Sequence, residues 1–283
     1  VQFDFAGPLP LADGRYLARS GDSGNESVLV THRLAAPAAR GRRRRGRSTS
    51  AEPEPGILTL TRVTAIRAFA PFADEDEAAR WLEARVDGDA IELFVEEGIA
   101  LLNRALHAQA VTAADPRAPI DLSPAAAERV LIGYGSGEEA ADGRFTDARQ
   151  VDLAPRTASK RRQREDEVRP QERVAAVLRG RERLDASETL LLRARADLDA
   201  DREREAALQL RVGLEALLAE LKGAVADPGH EKDMATLEER RAEVGNAANA
   251  ALQGELSEEQ RRQVKELLGI SERVLRRRRV LRG

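Results

Sequence analysis

Val130-Leu131-Ile132 reads as a short strand that runs into Gly133-Tyr134-Gly135-Ser136-Gly137. Closely spaced glycines after a strand are a chemistry-bearing pattern, because exposed backbone N–H groups can cradle an anion there. A nucleotide site asks for more. The spacing is not G-x-G-x-x-G, no Gly-Lys-Ser/Thr follows, and Glu138-Glu139 would set negative charge where a phosphate must sit. The segment is therefore read first as a structural turn. A small-ligand or enzymatic site on Gly133, Gly135 and Gly137 is kept as a subordinate reading.

The other reactive side chains do not assemble in sequence. His107 has Asn103, Arg104, Ala110 and Val111 three and four residues away, which is neither H-E-x-x-H nor a Glu-x-x-His pair. His32 falls in a strand and His230 follows a turn. There is no Cys and no G-x-S-x-G elbow, so thiolate chemistry and this form of serine hydrolysis have no anchor. Asp74-Glu75-Asp76-Glu77 could suggest a cation site, but carboxylates at a helix start complement the dipole and cap free N–H groups. No catalytic residue, metal ligand or cofactor is expected.

Arginine clusters are the remaining candidates. Arg42, Arg43, Arg44 and Arg45 form one, residues 161–164 a second, and Arg276, Arg277, Arg278 and Arg279 a third. Guanidinium forks bind phosphate bidentately, so contact with nucleic acid is an alternative function. No aromatic accompanies the runs to stack on bases, which argues against single-strand recognition. Residues 157–283 carry 27 basic and 25 acidic side chains, without the sustained excess of a general nucleic-acid binder.

The elements that must carry these residues differ between the two halves. Residues 1–36 alternate like strands, with Phe3, Phe5, Leu9 and Leu11 on one side. Asp13-Gly14 is a tight-turn dipeptide, and Asp142-Gly143 echoes it, suggesting two similar hairpin turns in one sheet. Residues 57–66 are rich in β-branched side chains and form another strand. Asp74 with Glu77 starts a helix that turns Ala78, Trp81, Leu82 and Val86 inward. A longer helix over 89–113 buries Ile91, Phe94, Val95, Leu101, Leu102, Ala105 and Leu106, and ends at Asp115-Pro116.

Beyond Pro170 the pattern becomes helical throughout, at about 171–180, 187–199, 202–222, 231–252 and from Ser257 to near Gly269. Ala207, Leu210, Leu214, Leu217 and Leu221 make a narrow stripe facing Leu191, Ala194 and Leu198, while Leu208 and Val212 lie on another side. Asp201 is expected to cap the helix starting at Arg202. Met234, Leu237, Val244, Ala248 and Leu252 mark the inner face of the fourth helix.

The expected fold is an α+β N-terminal domain, a small antiparallel sheet with two helices, followed by an all-α domain of helical hairpins. Their boundaries are 1–153, with a disordered Arg/Pro/Ser-rich loop at 37–56, a polar linker at 154–170, and 171–283. The leading functional expectation is a protein-interaction or assembly module without catalysis, with a protein partner or self-association through the helical half. A nucleic-acid-associated accessory protein using the arginine clusters is the alternative.

Four lysines against 42 arginines among the 46 basic residues point to GC-rich codons and a high-GC bacterium. Val1 is read equally as a GTG start or as a truncation. The first residues lack a signal peptide's basic and apolar regions, and no apolar run approaches the roughly 18–20 residues of a membrane helix. A cytoplasmic location away from membranes is expected.

Overall fold

The computed structural model describes residues 1–19, 26–35, 59–68, 70–86, 90–152, 171–221 and 227–282. The expected loop at 37–56 and linker at 154–170 lie outside the described residues. The chain divides into two compact units, Val1–Pro155 and Arg156–Gly283, of which the first contains the sheet and the second is helical.

In the first unit six strands form one antiparallel sheet: β1 (Gln2–Ala6), β2 (Gly14–Arg19), β3 (Glu26–Ala35), β4 (Thr59–Arg67), β5 (Arg129–Tyr134) and β6 (Asp147–Gln150). Their spatial order is β2-β3-β4-β1-β5-β6. Strand periodicity places Phe3 and Phe5 on one face, and Phe3 lies directly opposite Val63 of β4 and Val130 of β5. That face is covered by α1 (Glu75–Val86) and α2 (Ala90–Thr112), which bury Ala78, Leu82, Ile91, Val95, Leu102 and Leu106. Gly98 allows the close approach, since a Cβ there would stand 3.1 Å from the Phe3 ring. Trp81 is only half-buried, packed at the edge of the core with Phe72 and Phe94 at ring-centroid distances of 5.7 and 5.9 Å.

The opposite face of β1 carries Gln2 and Asp4, polar yet each 4% exposed. The β5–β6 connection explains the burial of Gln2. Its short helix α3 (Gly137–Ala141) and the turn after it fold back over the sheet, where Gln2 Nε2 donates to Thr64 Oγ1 (2.9 Å) and to the Gly143 carbonyl (3.1 Å). The expected pair of hairpin turns is corrected here. Gly14 opens β2, but β1 pairs with β4 and β5, so Asp13-Gly14 joins no hairpin with β1. Asp142-Gly143 instead terminates α3, because Gly143 (φ +77°) adopts the left-handed conformation that a helix end needs. The two segments still meet, through an ion pair between Arg15 and Asp142.

The second unit contains α4 (171–178), α5 (Ala186–Asp199), α6 (Glu203–Leu221), α7 (Pro228–Glu239), α8 (Arg241–Gln253) and α9 (Glu258–Arg282). The α6 stripe is buried throughout: Ala207, Leu210, Leu214, Leu217 and Leu221. Gly213 brings α5 close, a Cβ there lying 3.0 Å from Leu191 Cδ2. Leu208 packs against the same core, whereas Val212 stays exposed. Ser257 and Gln260 form the expected reciprocal cap of α9, Ser257 N donating to Gln260 Oε1 and Gln260 N to Ser257 Oγ.

Three helical expectations change. The fourth helix is two, because the backbone at Arg240 leaves helical geometry (φ −93°, ψ 8°) and lets α7 pack on α9 while α8 packs on α6. Leu252, expected inside, is exposed because the restarted helix buries Val244, Ala247, Ala248 and Ala251 instead. The fifth helix does not stop at Gly269. Leu267, Leu268, Ile270, Val274 and Leu275 all stay buried across that point, which outweighs the roughly 1 kcal/mol a mid-helix glycine costs.

Asp201 is also not the cap of α6. It sits at φ +57° after the end of α5, with Arg202 N donating to Asp197 O (2.8 Å) and Asp201 N to Leu198 O (3.2 Å). This is a Schellman termination with aspartate where glycine is usual. The same bonding ends α2 at Ala114 (φ +51°), α3 at Gly143 and α4 at Gly180 (φ +70°). Among the described residues no helix is long and apolar enough to cross a membrane.

Candidate functional site

The glycine segment is closed by its own chain. A Cβ at Gly133 would stand 2.3 Å from the Asp147 carbonyl oxygen and 2.6 Å from the Phe145 ring; one at Gly135 would stand 2.9 Å from the Arg144 oxygen. These two glycines let β5 and the following turn pack against residues 140–148. Gly137 (φ +63°) faces open space and begins α3. Tyr134 packs its ring against Phe72 at 6.2 Å.

The titratable groups are dispersed. His32 Nε2 lies 3.2 Å from the Asp142 carbonyl oxygen, His107 is half-buried on α2, and His230 is buried on α7 with neither ring nitrogen hydrogen-bonded. Asp74 caps α1, accepting from Glu77 N at 2.7 Å. Among the described residues no three His, Cys, Asp or Glu side chains stand together as a metal site.

The one buried carboxylate cluster of the sheet is Asp4. Register places it beside Arg62 on β4 and Arg129 on β5. Arg62 Nε donates to Oδ1 (2.8 Å), and Arg129 Nη2 and Nε donate to Oδ2 (2.6 and 3.0 Å). Burial pushes the Asp4 pKa up, but the hydrogen bonds from the two guanidiniums outweigh it and hold the carboxyl below its ordinary value. The cluster ties three strands together.

Of the arginine clusters, Arg42, Arg43, Arg44 and Arg45 lie outside the described residues. At the end of α9 the run separates by helical phase. Arg276 is exposed, Arg277 reaches Asp233 of α7 (2.6 Å), and Arg278 is buried in an ion pair with Asp185 at the start of α5. The Arg279 side chain lies outside the description. Arginine elsewhere in this unit works in the same way. Arg173 bonds Glu188 and Glu182, Arg195 bonds Glu272, and Arg240 bonds Glu243 and Glu266.

Residues 171–193 depart from this rule. Glu182 and Glu188 are held by Arg173, and Asp185 by Arg278, which leaves Glu172 as the remaining acid. Arg179, Arg181, Arg183 and Arg193 are exposed and bond no other side chain among the described residues. In the same segment Val174, Leu178, Leu184 and Leu192 are exposed by 56, 81, 58 and 71%. Val174 and Leu178 share a face of α4. Leu192 stands one turn after Glu188 on α5, Leu184 lies just before that helix begins, and Arg173 draws α4 against the same glutamate. The ion pair of Arg278 with Asp185 brings the end of α9, and so Arg276, to this end of the bundle.

Sequence reasoning missed this surface. It followed the leucine stripe that is buried in α6 and the arginine runs that are partly structural. The available signal was Arg179-Gly180-Arg181-Glu182-Arg183-Leu184, where basic and apolar residues exceed what the local acids can neutralise. Compared with protein-family models, curated proteins and solved structures, the chain matches none.

Proposed function

We propose that the chain is a non-catalytic protein-interaction or assembly module whose binding end is the 171–193 surface of the helical unit. The observation that carries this reading is the exposure of Val174, Leu178, Leu184 and Leu192 near four arginines without acidic partners among the described residues. Single exposed apolar residues are ordinary, but a group of them rimmed by charge is the pattern of a recognition surface. The arginine-over-lysine bias supports a high-GC bacterial source.

A photo-crosslinking benzoylphenylalanine at position 178 tests the reading in extract of the producing cell. A discrete protein adduct is expected at 178 and not at Glu205, an exposed position on α6. No adduct at 178 refutes it. The nucleic-acid reading draws on the same unpaired arginines and on Arg276. It requires binding to generic RNA or DNA that weakens steeply with salt, as counterion release demands.

A further inference from the structure

Resting on that reading, we infer that the occupant of the 171–193 surface is an acidic amphipathic helix, one that carries leucines along one face and carboxylates beside them. Charge complementarity decides the sign. Of the four acids within residues 171–193, Glu182, Asp185 and Glu188 are held by Arg173 and Arg278, and Glu172 alone remains against four arginines. Arg179, Arg181, Arg183 and Arg193 therefore present positive charge that no side chain among the described residues neutralises. Guanidinium forks match carboxylates bidentately, which gives direction as well as attraction.

The apolar component decides between the anionic partners. A nucleic acid would leave Leu178 and Leu184 without a dry contact, and residues 171–283 hold no aromatic side chain to stack on bases. The same lack of tryptophan and tyrosine removes the usual anchors of a membrane interface. A helix with leucines three and four residues apart fits both components, since Val174 and Leu178 are themselves spaced by one turn of α4.

The probe is a fluorescein-labelled helical peptide of roughly 20 residues, leucine on one face and glutamate on its flanks, titrated into the full chain and followed by anisotropy. Saturable binding is expected. It should weaken about tenfold in Arg181→Glu/Arg183→Glu, and by a similar factor in Leu178→Ser/Leu184→Ser. All four positions are exposed, so circular dichroism should confirm an unchanged fold. A lysine-for-glutamate peptide should reverse the order, binding the charge-reversed chain better than the native one. Absence of binding, indifference to these variants, or tighter binding to a uridine-rich RNA or to phosphatidylserine vesicles overturns the inference. A protein adduct at position 178 without glutamate-peptide binding overturns this inference alone. Loss of the adduct overturns the proposed function with it.

Discussion

Replacing Gly143 by alanine should unfold the first unit far more readily than the same change at Gly180, although both glycines end helices in the same conformation. The left-handed backbone is common to the two sites, at φ +77° and +70°. It costs an L-residue about 1 kcal/mol net of the unfolded-chain entropy that alanine removes. At Gly180 nothing lies within 4 Å of the new Cβ, so that cost should be the whole effect. At Gly143 the Cβ would meet Thr64 Oγ1 at 2.9 Å and Thr64 Cβ at 3.1 Å.

Thr64 is 2% exposed in a central strand, and overpacking such a site costs about 1–3 kcal/mol. Relief would require the α3 turn to lift, which removes the Gly143 carbonyl from the Gln2 amide. Leaving that buried donor short of a partner adds about 1 kcal/mol. The sum is about 3–5 kcal/mol against about 1 kcal/mol at Gly180. Trp81 is the only tryptophan and belongs to the first unit, so its emission during urea unfolding follows this unit directly. With an m-value of about 2 kcal/mol/M, Gly143→Ala should lower the midpoint by about 1.5–2.5 M. A loss no larger than that of Gly180→Ala, measured by circular dichroism of the full chain, would show that the turn does not press on Thr64 and would refute the reasoning.

Ala114→Gly and Asp201→Gly should each stabilise their unit by about 1 kcal/mol, since both place an L-residue where Gly143 and Gly180 have none; urea midpoints that fall instead exclude the strain. Asp4→Asn should cost about 2 kcal/mol, because it leaves Arg62 and Arg129 facing a neutral amide. The folded-state pKa of Asp4 is depressed, so its contribution is present above the unfolded value near 3.9 and fades as pH falls through the lower folded value; the Asp4→Asn chain should lose less stability than the native one over that acid range. His230→Leu should raise the melting temperature of the helical unit, as it removes two buried nitrogens that bond nothing; a marked drop would reveal a role for the ring.

Much of the architecture was legible where burial follows a simple period. The α6 leucines, the Asp74 and Ser257 caps and the alternation of Phe3 with Phe5 each report a local rule that the structure obeys. The failures share a different cause. Asp142-Gly143 has turn chemistry, but whether a turn joins strands or ends a helix depends on its partners, and β1 pairs across long sequence separations with β4 and β5. The break at Arg240 follows from the different packing of α7 and α8, which no single helix pattern encodes. Gly269 looked like a terminus because glycine often is one, yet the buried face simply continues. Gly133 and Gly135 resemble a ligand loop by type alone; the carbonyls that crowd them, of Asp147 and Arg144, come from fourteen and nine positions later.

The arginine content carries a further lesson in how a surface is to be read. The preference for arginine over lysine does not itself set where the guanidinium goes. Arg173 and Arg240 each bridge two carboxylates, and Arg278 is buried against Asp185, geometries that a forked, always-charged donor sustains better than an ammonium. A run such as Arg276–Arg279 is thus split by the 100° turn per residue into structural and exposed members, and its length says little about binding. The informative arginines are those left over after every nearby acid has found a partner. In the helical unit they gather at residues 179–193, beside the apolar side chains that the core leaves uncovered. Packing among the described residues uses neither group, and the proposed acidic helix would use both.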